Sequence, residues 1–164
     1  MLAARSTRVR YIANEIQPWV YECLSLTFAG LPEGYEAFGL AIGDSPVRIT
    51  PTRDGLDAAV SDRGAVTVPN VTWRDFKARF AIEGVDLLKM NVEGAEVALL
   101  EHIELADVAR VAVAVHDFRA ERGEGEQFRT RARVTAILEG AGFAISPLPN
   151  DWLFAERHPA AATR

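Results

Sequence analysis

Side chains able to move protons or hold a polar ligand stand where apolar runs of this sequence end. Glu15 follows Val9–Ala13, Asp44 follows Glu36–Ile42, Asn91 and Glu93 follow Val85–Met90, and His116 follows Val108–Val115. Carboxylates accept hydrogen bonds, an amide both donates and accepts, and an imidazole titrates near neutrality, so these types suit ligand binding and acid–base work. If the runs are parallel strands, the tips at Glu15, Asp44 and Asn91–Glu93 face one edge of a sheet. Ligands of open α/β sheets bind at that edge, in the crevice outside the carboxyl ends of the strands. Glu93 and Glu96 also have a structural reading, since carboxylates in a first helical turn are stabilised by its positive end, typically by ~0.3–1 kcal/mol.

The positioning elements follow from periodicity. Val9–Ala13 is β-prone, and from Pro18 the spacing turns helical, with Val20, Leu24 and Phe28 on one face, Cys23 and Thr27 beside them, and a stop at Gly30. Glu36–Ile42 reads as a second strand, Val47–Thr50 as its hairpin continuation, Thr52–Gly64 as a surface excursion and Ala65–Val68 as a short strand. Thr72 and Asp75 form a capping pair ahead of Trp73, Phe76 and Phe80, an aromatic stripe read as a helix packed on the sheet. After Val85–Met90, helical spacing runs from Ala95 to about His102, which makes Asn91–Gly94 a strand-to-helix turn. Val108–Val115 is the continuous apolar run of a strand buried on both faces. Arg119–Arg133 is charge-rich and loop-like, Val134–Ala141 gives a helical face, and Phe143–Ser146 with Trp152–Ala155 forms a closing antiparallel pair. Alternating strands and helices indicate an α/β fold with a mostly parallel sheet, in a single domain over residues 1–158 and a frayed tail over 159–164.

The chain has 164 residues, 49% of them apolar and 25% charged, which suits one globular domain with a real core. Its net charge of -5 gives no footprint for nucleic acid. The lone Cys23 excludes an internal disulfide and a thiolate metal cluster, and its apolar neighbours suggest a buried small hydrophobe. No run approaches the ~20 apolar residues of a membrane span, and no secretory core opens the chain, so a cytoplasmic protein is expected.

The segment Leu87-Leu88-Lys89-Met90-Asn91-Val92-Glu93-Gly94-Ala95-Glu96 resembles the FkbM family of S-adenosylmethionine-dependent methyltransferases, whose strand ends in a Lys-Ile-Asp-Val-Glu-Gly-Ala-Glu type sequence. Tyr11–Pro18 is similar to the family's second strand, Ala41–Asp44 to its third strand tip, and Val113–His116 to the place where a glutamate is closely followed by a histidine. The resemblance implies a Rossmann-like class I methyltransferase fold with S-adenosylmethionine as cofactor and a small-molecule or sugar-containing substrate methylated on a hydroxyl. It gives Glu15 the ribose hydroxyls, Asp44 the adenine amino group, and Asn91, Glu93 and His116 places near the methyl sulfonium or the acceptor, with His116 as general-base candidate.

Three departures from the family pattern accompany it. Asn91 replaces an aspartate, Val115 replaces the glutamate before His116, and no first strand with a glycine-rich turn precedes Tyr11. Loss of that central strand leaves two edges unpaired. Val9–Ala13 is then expected to close up against Val85–Met90, unless a partner chain or a second copy completes the sheet. A fragment of a longer enzyme, a non-catalytic remnant serving as a binding or interaction module, and a nucleotide- or sugar-binding domain of another α/β family are the competing readings.

Overall fold

A computed structural model describes residues 9–51, 58–60 and 63–157. They fall into two compact units that divide between Val71 and Thr72. The expected frayed tail and residues 52–57 and 61–62 of the polar excursion lie outside the described residues.

The first unit opens with strand β1 (Tyr11–Asn14), helix α1 (Pro18–Ala29) and strand β2 (Tyr35–Phe38). β1 and β2 are parallel, with Tyr11 opposite Tyr35 and Asn14 opposite Phe38. The rings of Tyr11, Phe28 and Tyr35 meet at centroid distances of 5.7–5.9 Å and fasten the helix over the strand pair. Val20, Leu24 and Phe28 are half-buried, as their spacing predicts. Cys23 is exposed, against the expectation of a buried hydrophobe, because one residue along a helix rotates it ~100° away from Leu24.

The run Glu36–Ile42 is two strands instead of one. The Asn14 side-chain amide donates to Leu40 O at 2.6 Å and accepts from Leu40 N at 3.2 Å, standing in for the next residue of β1. The chain then leaves β2, and β3 (Ala41–Ile42) pairs in parallel with β7 (Asn70–Val71). Between them β4 (Val47–Pro51) lies antiparallel to both β5 (Ala58–Val60) and β6 (Val66–Val68). Ala41, Ile49 and Val68 form the buried cluster of this unit, flanked by Ile16, Val47 and Val66. Gly64 lies so close under β4 that a Cβ there would come within 2.5 Å of Ile49 N.

In the second unit, Thr72 caps helix α2 (Trp73–Arg79) by accepting from Asp75 N at 3.1 Å. Trp73 and Phe76 are buried against one another, so the aromatic stripe is packing. Strand β8 (Leu88–Met90) leads through a turn into α3 (Glu96–His102), and β9 (Arg110–Ala114) returns parallel to β8. Helices α4 (Asp117–Glu121) and α5 (Arg131–Gly140) follow, then the antiparallel pair β10 (Phe143–Leu148) and β11 (Trp152–Arg157). The sheet order is β10-β11-β9-β8. Val111, Val113 and Val115 on one face are all but inaccessible, while on the other Arg110 is exposed and Ala112 half-buried, so the strand falls short of the burial on both faces that the run predicts. Asn150 and Asp151 take φ of 59° and 61° in the hairpin loop, a region their short polar side chains tolerate.

A further expectation is overturned. The described strands do not form one mostly parallel sheet: they make four small sheets in which parallel pairs mix with antiparallel ones. In the first unit β1 pairs with β2, and in the second β8 pairs with β9. Apolar runs establish that strands form; their partners are chosen by loops and side chains such as Asn14. Among the described residues, no helix is long and apolar enough to cross a membrane.

Arg157 closes the second unit. Its guanidinium donates to the carbonyl oxygens of Val108 at 3.0 Å, Ala141 at 2.8 Å and Leu105, and lies 4.5 Å from the centre of the Phe143 ring.

Two substitutions test this account by chemical denaturation. Gly64→Ala forces a methyl group into the β4 backbone and is expected to destabilise the fold by about 1–3 kcal/mol; an unshifted midpoint would show that the close approach is not real. Arg157→Lys keeps the charge but not the planar fork, and should cost about 1.5–3 kcal/mol. Wild-type stability in the lysine variant would mean that the three carbonyls do not depend on the guanidinium.

Candidate functional site

The turn between β8 and α3 is built on two consecutive left-handed residues, Glu93 with φ 51° and Gly94 with φ 101°. Glycine adopts that conformation freely, and a Cβ at Gly94 would also meet Phe128 Cδ1 at 3.0 Å. The turn delivers Glu96 to the first position of α3 with its carboxylate folded back. Glu96 Oε1 accepts from Gly94 N at 3.0 Å and from His116 Nδ1 at 2.8 Å. The residue is 0% exposed, and its Oε2 has no partner among the described residues.

His116 stands just past the end of β9 and is itself buried. Its Nε2 lies 3.1 Å from Glu93 Oε1. Glu93 Oε2 accepts from Arg119 Nη1 at 2.8 Å, and Arg119 Nε donates to Glu124 Oε2 at 2.7 Å. The Arg119 guanidinium lies 3.9 Å over the Phe128 ring. Glu96, His116, Glu93, Arg119 and Glu124 thus form one chain of alternating charge, which begins wholly buried at Glu96 and reaches solvent through Glu93, with 29% of its side chain exposed, and Glu124.

The protonation of the chain follows from its donors. Glu96 accepts from Nδ1 and Glu93 stands within ion-pair distance of Nε2; ionised carboxylates only accept, so these two neighbours favour a proton on both nitrogens. Burial pulls the His116 pKa down, but the Glu96 hydrogen bond and charge, with Glu93 behind them, outweigh burial and leave it raised. Burial pushes Glu96 up, and the bonds from His116 and the Gly94 N–H bring it below the ordinary carboxylate value.

Glu93 and His116, picked out from the sequence, are therefore brought together. Asn91 is exposed at the mouth of the same turn and outside the ion chain. Val115, where the FkbM pattern has a carboxylate, is buried, and its N–H donates to Asp151 O at 2.8 Å. Arg119, Glu124 and Phe128 went unread, because the charge-rich segment carries no periodicity to assign them. Asp117 was also missed. Its Oδ2 accepts from Thr130 N at 3.1 Å and Arg131 N at 2.9 Å, capping α5 from the residue next to His116.

Glu15 and Asp44 belong to the first unit. Glu15 lines a cleft of about 110 Å³ together with Ile16, Pro18, Tyr21, Gly39 and the strand Val66–Val68. One of its oxygens accepts from Gln17 N at 2.8 Å at the start of α1. Asp44 is exposed just beyond β3 and is not part of that wall; Asn70 Nδ2 donates to Gly43 O at 2.9 Å and holds the turn that carries it.

No curated protein and no solved structure matches the chain. A family model described as the methyltransferase FkbM domain matches residues 24–145, which leaves Glu15 before the match and takes in Asp44 and the whole ion chain. That span covers well over half of the sequence and contains the turn, the histidine and their partners, so the chain belongs to the FkbM methyltransferase family.

Proposed function

We propose that this protein transfers a methyl group from S-adenosylmethionine to a hydroxyl of a small-molecule or sugar-containing substrate, on a scaffold related to the Rossmann-like class I methyltransferases. The observation that carries the reading is the buried Glu96–His116–Glu93 assembly at a strand-end turn, inside the region that matches the family. Methyltransferases of this kind use S-adenosylmethionine in general, which supplies an electrophilic methyl group on a sulfonium when bound.

The donor set of the first unit fits part of that cofactor. Glu15 offers a carboxylate beside apolar walls, with one oxygen fixed by the Gln17 N–H and the other without a partner among the described residues. A carboxylate so held suits the paired hydroxyls of a ribose. Asp44 is assigned to the adenine amino group, and Asn91, Glu93 and His116 to the reacting end. Their task is to align the acceptor and take up its proton.

A second reading is favoured by the position of β8. Among the described residues it is the terminal strand of its sheet, paired with β9, and a partner chain or a second copy adding a strand there would make the protein an interaction module of the same ancestry. Nucleic acid and membrane are not part of either reading. The exposed, unbridged Cys23 agrees with a reducing, cytoplasmic setting.

Calorimetric titration with S-adenosylhomocysteine decides between the two. Micromolar binding, weakened roughly tenfold in Glu15→Ala, about 1.4 kcal/mol, is the expected result. Absence of heat and of any thermal shift at millimolar ligand would exclude an autonomous methyltransferase and leave the interaction module.

A further inference from the structure

The buried end of the ion chain divides the work among its residues in a way that neither the family match nor the motif specifies. Glu96 is wholly buried, yet its charge is met by one imidazole and the backbone N–H groups of Gly94 and of Glu96 itself, and Oε2 has no hydrogen-bond partner among the described residues. For stability alone this is a poor choice. An unsatisfied buried polar atom costs about 1–3 kcal/mol, and well-packed apolar side chains commonly replace buried ion pairs without loss. What the carboxylate does achieve is specific: it accepts from Nδ1 of His116, which sets the ring with Nε2 3.1 Å from Glu93 Oε1.

We infer that Glu96 is a positioning residue that keeps His116 as a fixed imidazolium, and that His116 in turn aims the Glu93 carboxylate, leaving Glu93 as the proton-accepting group of the site. The last clause rests on the methyltransferase reading; the first does not. With a proton on each nitrogen, His116 has no lone pair to offer an incoming hydroxyl. Glu93 does, since each carboxylate oxygen has a second acceptor position beyond those used by His116 and Arg119. Were a hydroxyl oxygen to take the methyl carbon of a sulfonium, the carbon–sulfur bond would break with its electron pair left on sulfur as a neutral thioether, and the oxygen would become a strongly acidic oxonium. Its O–H bond breaks with the electron pair kept on oxygen, and the proton bonds to a Glu93 oxygen, from which it passes to water at the exposed end of the chain.

The charged groups around the ring are all accounted for in this assignment. Glu96 faces it from α3, Glu93 from the turn, Arg119 and Glu124 stand behind Glu93, and the Asp117 carboxylate is turned away to the start of α5. The sign of the pH dependence follows. A raised His116 pKa contributes stability that is fully present below its ordinary value of 6.5 and is lost as pH rises through the folded value. The lowered Glu96 pKa contributes stability present above its ordinary 4.5 and lost as pH falls through the folded one.

Nitrogen-15 NMR of the histidine side chains tests the inference without a substrate, with His116→Gln identifying the resonances. Both ring nitrogens of His116 should be protonated at neutral pH in the wild-type chain, and in Glu96→Gln the ring should titrate at lower pH, because burial is then opposed by Glu93 alone. A neutral imidazole at neutral pH in the wild type overturns the proposal, as does a Glu96→Gln chain whose His116 titrates where the wild type does. Should the glutamine variant fail to fold, the wild-type spectrum alone decides. Failure of S-adenosylhomocysteine to bind would instead remove the methyltransferase reading and with it the role of Glu93, and would leave the NMR result standing.

Discussion

An imidazole that meets a carboxylate at each nitrogen is held toward its charged form, and in the second unit that constraint ties three pieces of chain together. The end of β9 supplies the ring, the first residue of α3 supplies one carboxylate, and the left-handed turn between β8 and α3 supplies the other. Neither Glu96 nor the ring can shift without leaving the other as an uncompensated buried charge, which is far more costly than never having buried the pair. Arg119 and Glu124 extend the alternation outward, and Phe128 lies under the Arg119 guanidinium while also filling the space that a side chain at Gly94 would need. The turn is therefore set from below by Glu96 and from the side by an aromatic ring more than thirty positions later in the sequence.

Much of this arrangement could be read from residue types. The change from a continuous apolar run to helical spacing after Gly94 located the strand, the turn and α3; the capping pair Thr72 and Asp75 located α2; and the loop Pro147–Asp151 located the final hairpin, although its first two residues belong to β10. Strand pairing was not legible. Alternation and apolarity report what faces a core, whereas the break between β2 and β3 depends on the Asn14 amide copying a backbone, a contact across 26 residues that leaves no local pattern. At the site, Glu93 and His116 were visible because they end apolar runs. Arg119 was hidden among other arginines and glutamates, where only the folded geometry distinguishes the one side chain that bridges Glu93 and Glu124 from those that make ordinary surface pairs such as Arg129 with Glu126.

The first unit shows the same economy of short polar side chains at strand ends. Asn14 extends β1 by one residue, and its neighbour Glu15 then turns to accept from the backbone at the entry to α1. Adjacent residues thus end a strand and begin a helix, and the carboxylate that lines the cleft is anchored by the fold and not only by whatever the cleft holds. A carboxylate restrained in this way pays little additional ordering entropy on meeting a ligand.

Arg157 bears on how the second unit comes into being. Two of the carbonyls it grips lie 49 and 52 residues earlier, in the turn that leads into β9. During synthesis those segments leave the ribosome well before β11 is made, at ~5–20 residues per second. For that interval the strand carrying His116 has its β8 neighbour but not its β11 neighbour, and the long loop that Arg157 closes carries an entropic cost until the last strand arrives. The site is local in space, but the sheet beside it is completed only by a strand made after the histidine and both of its carboxylates.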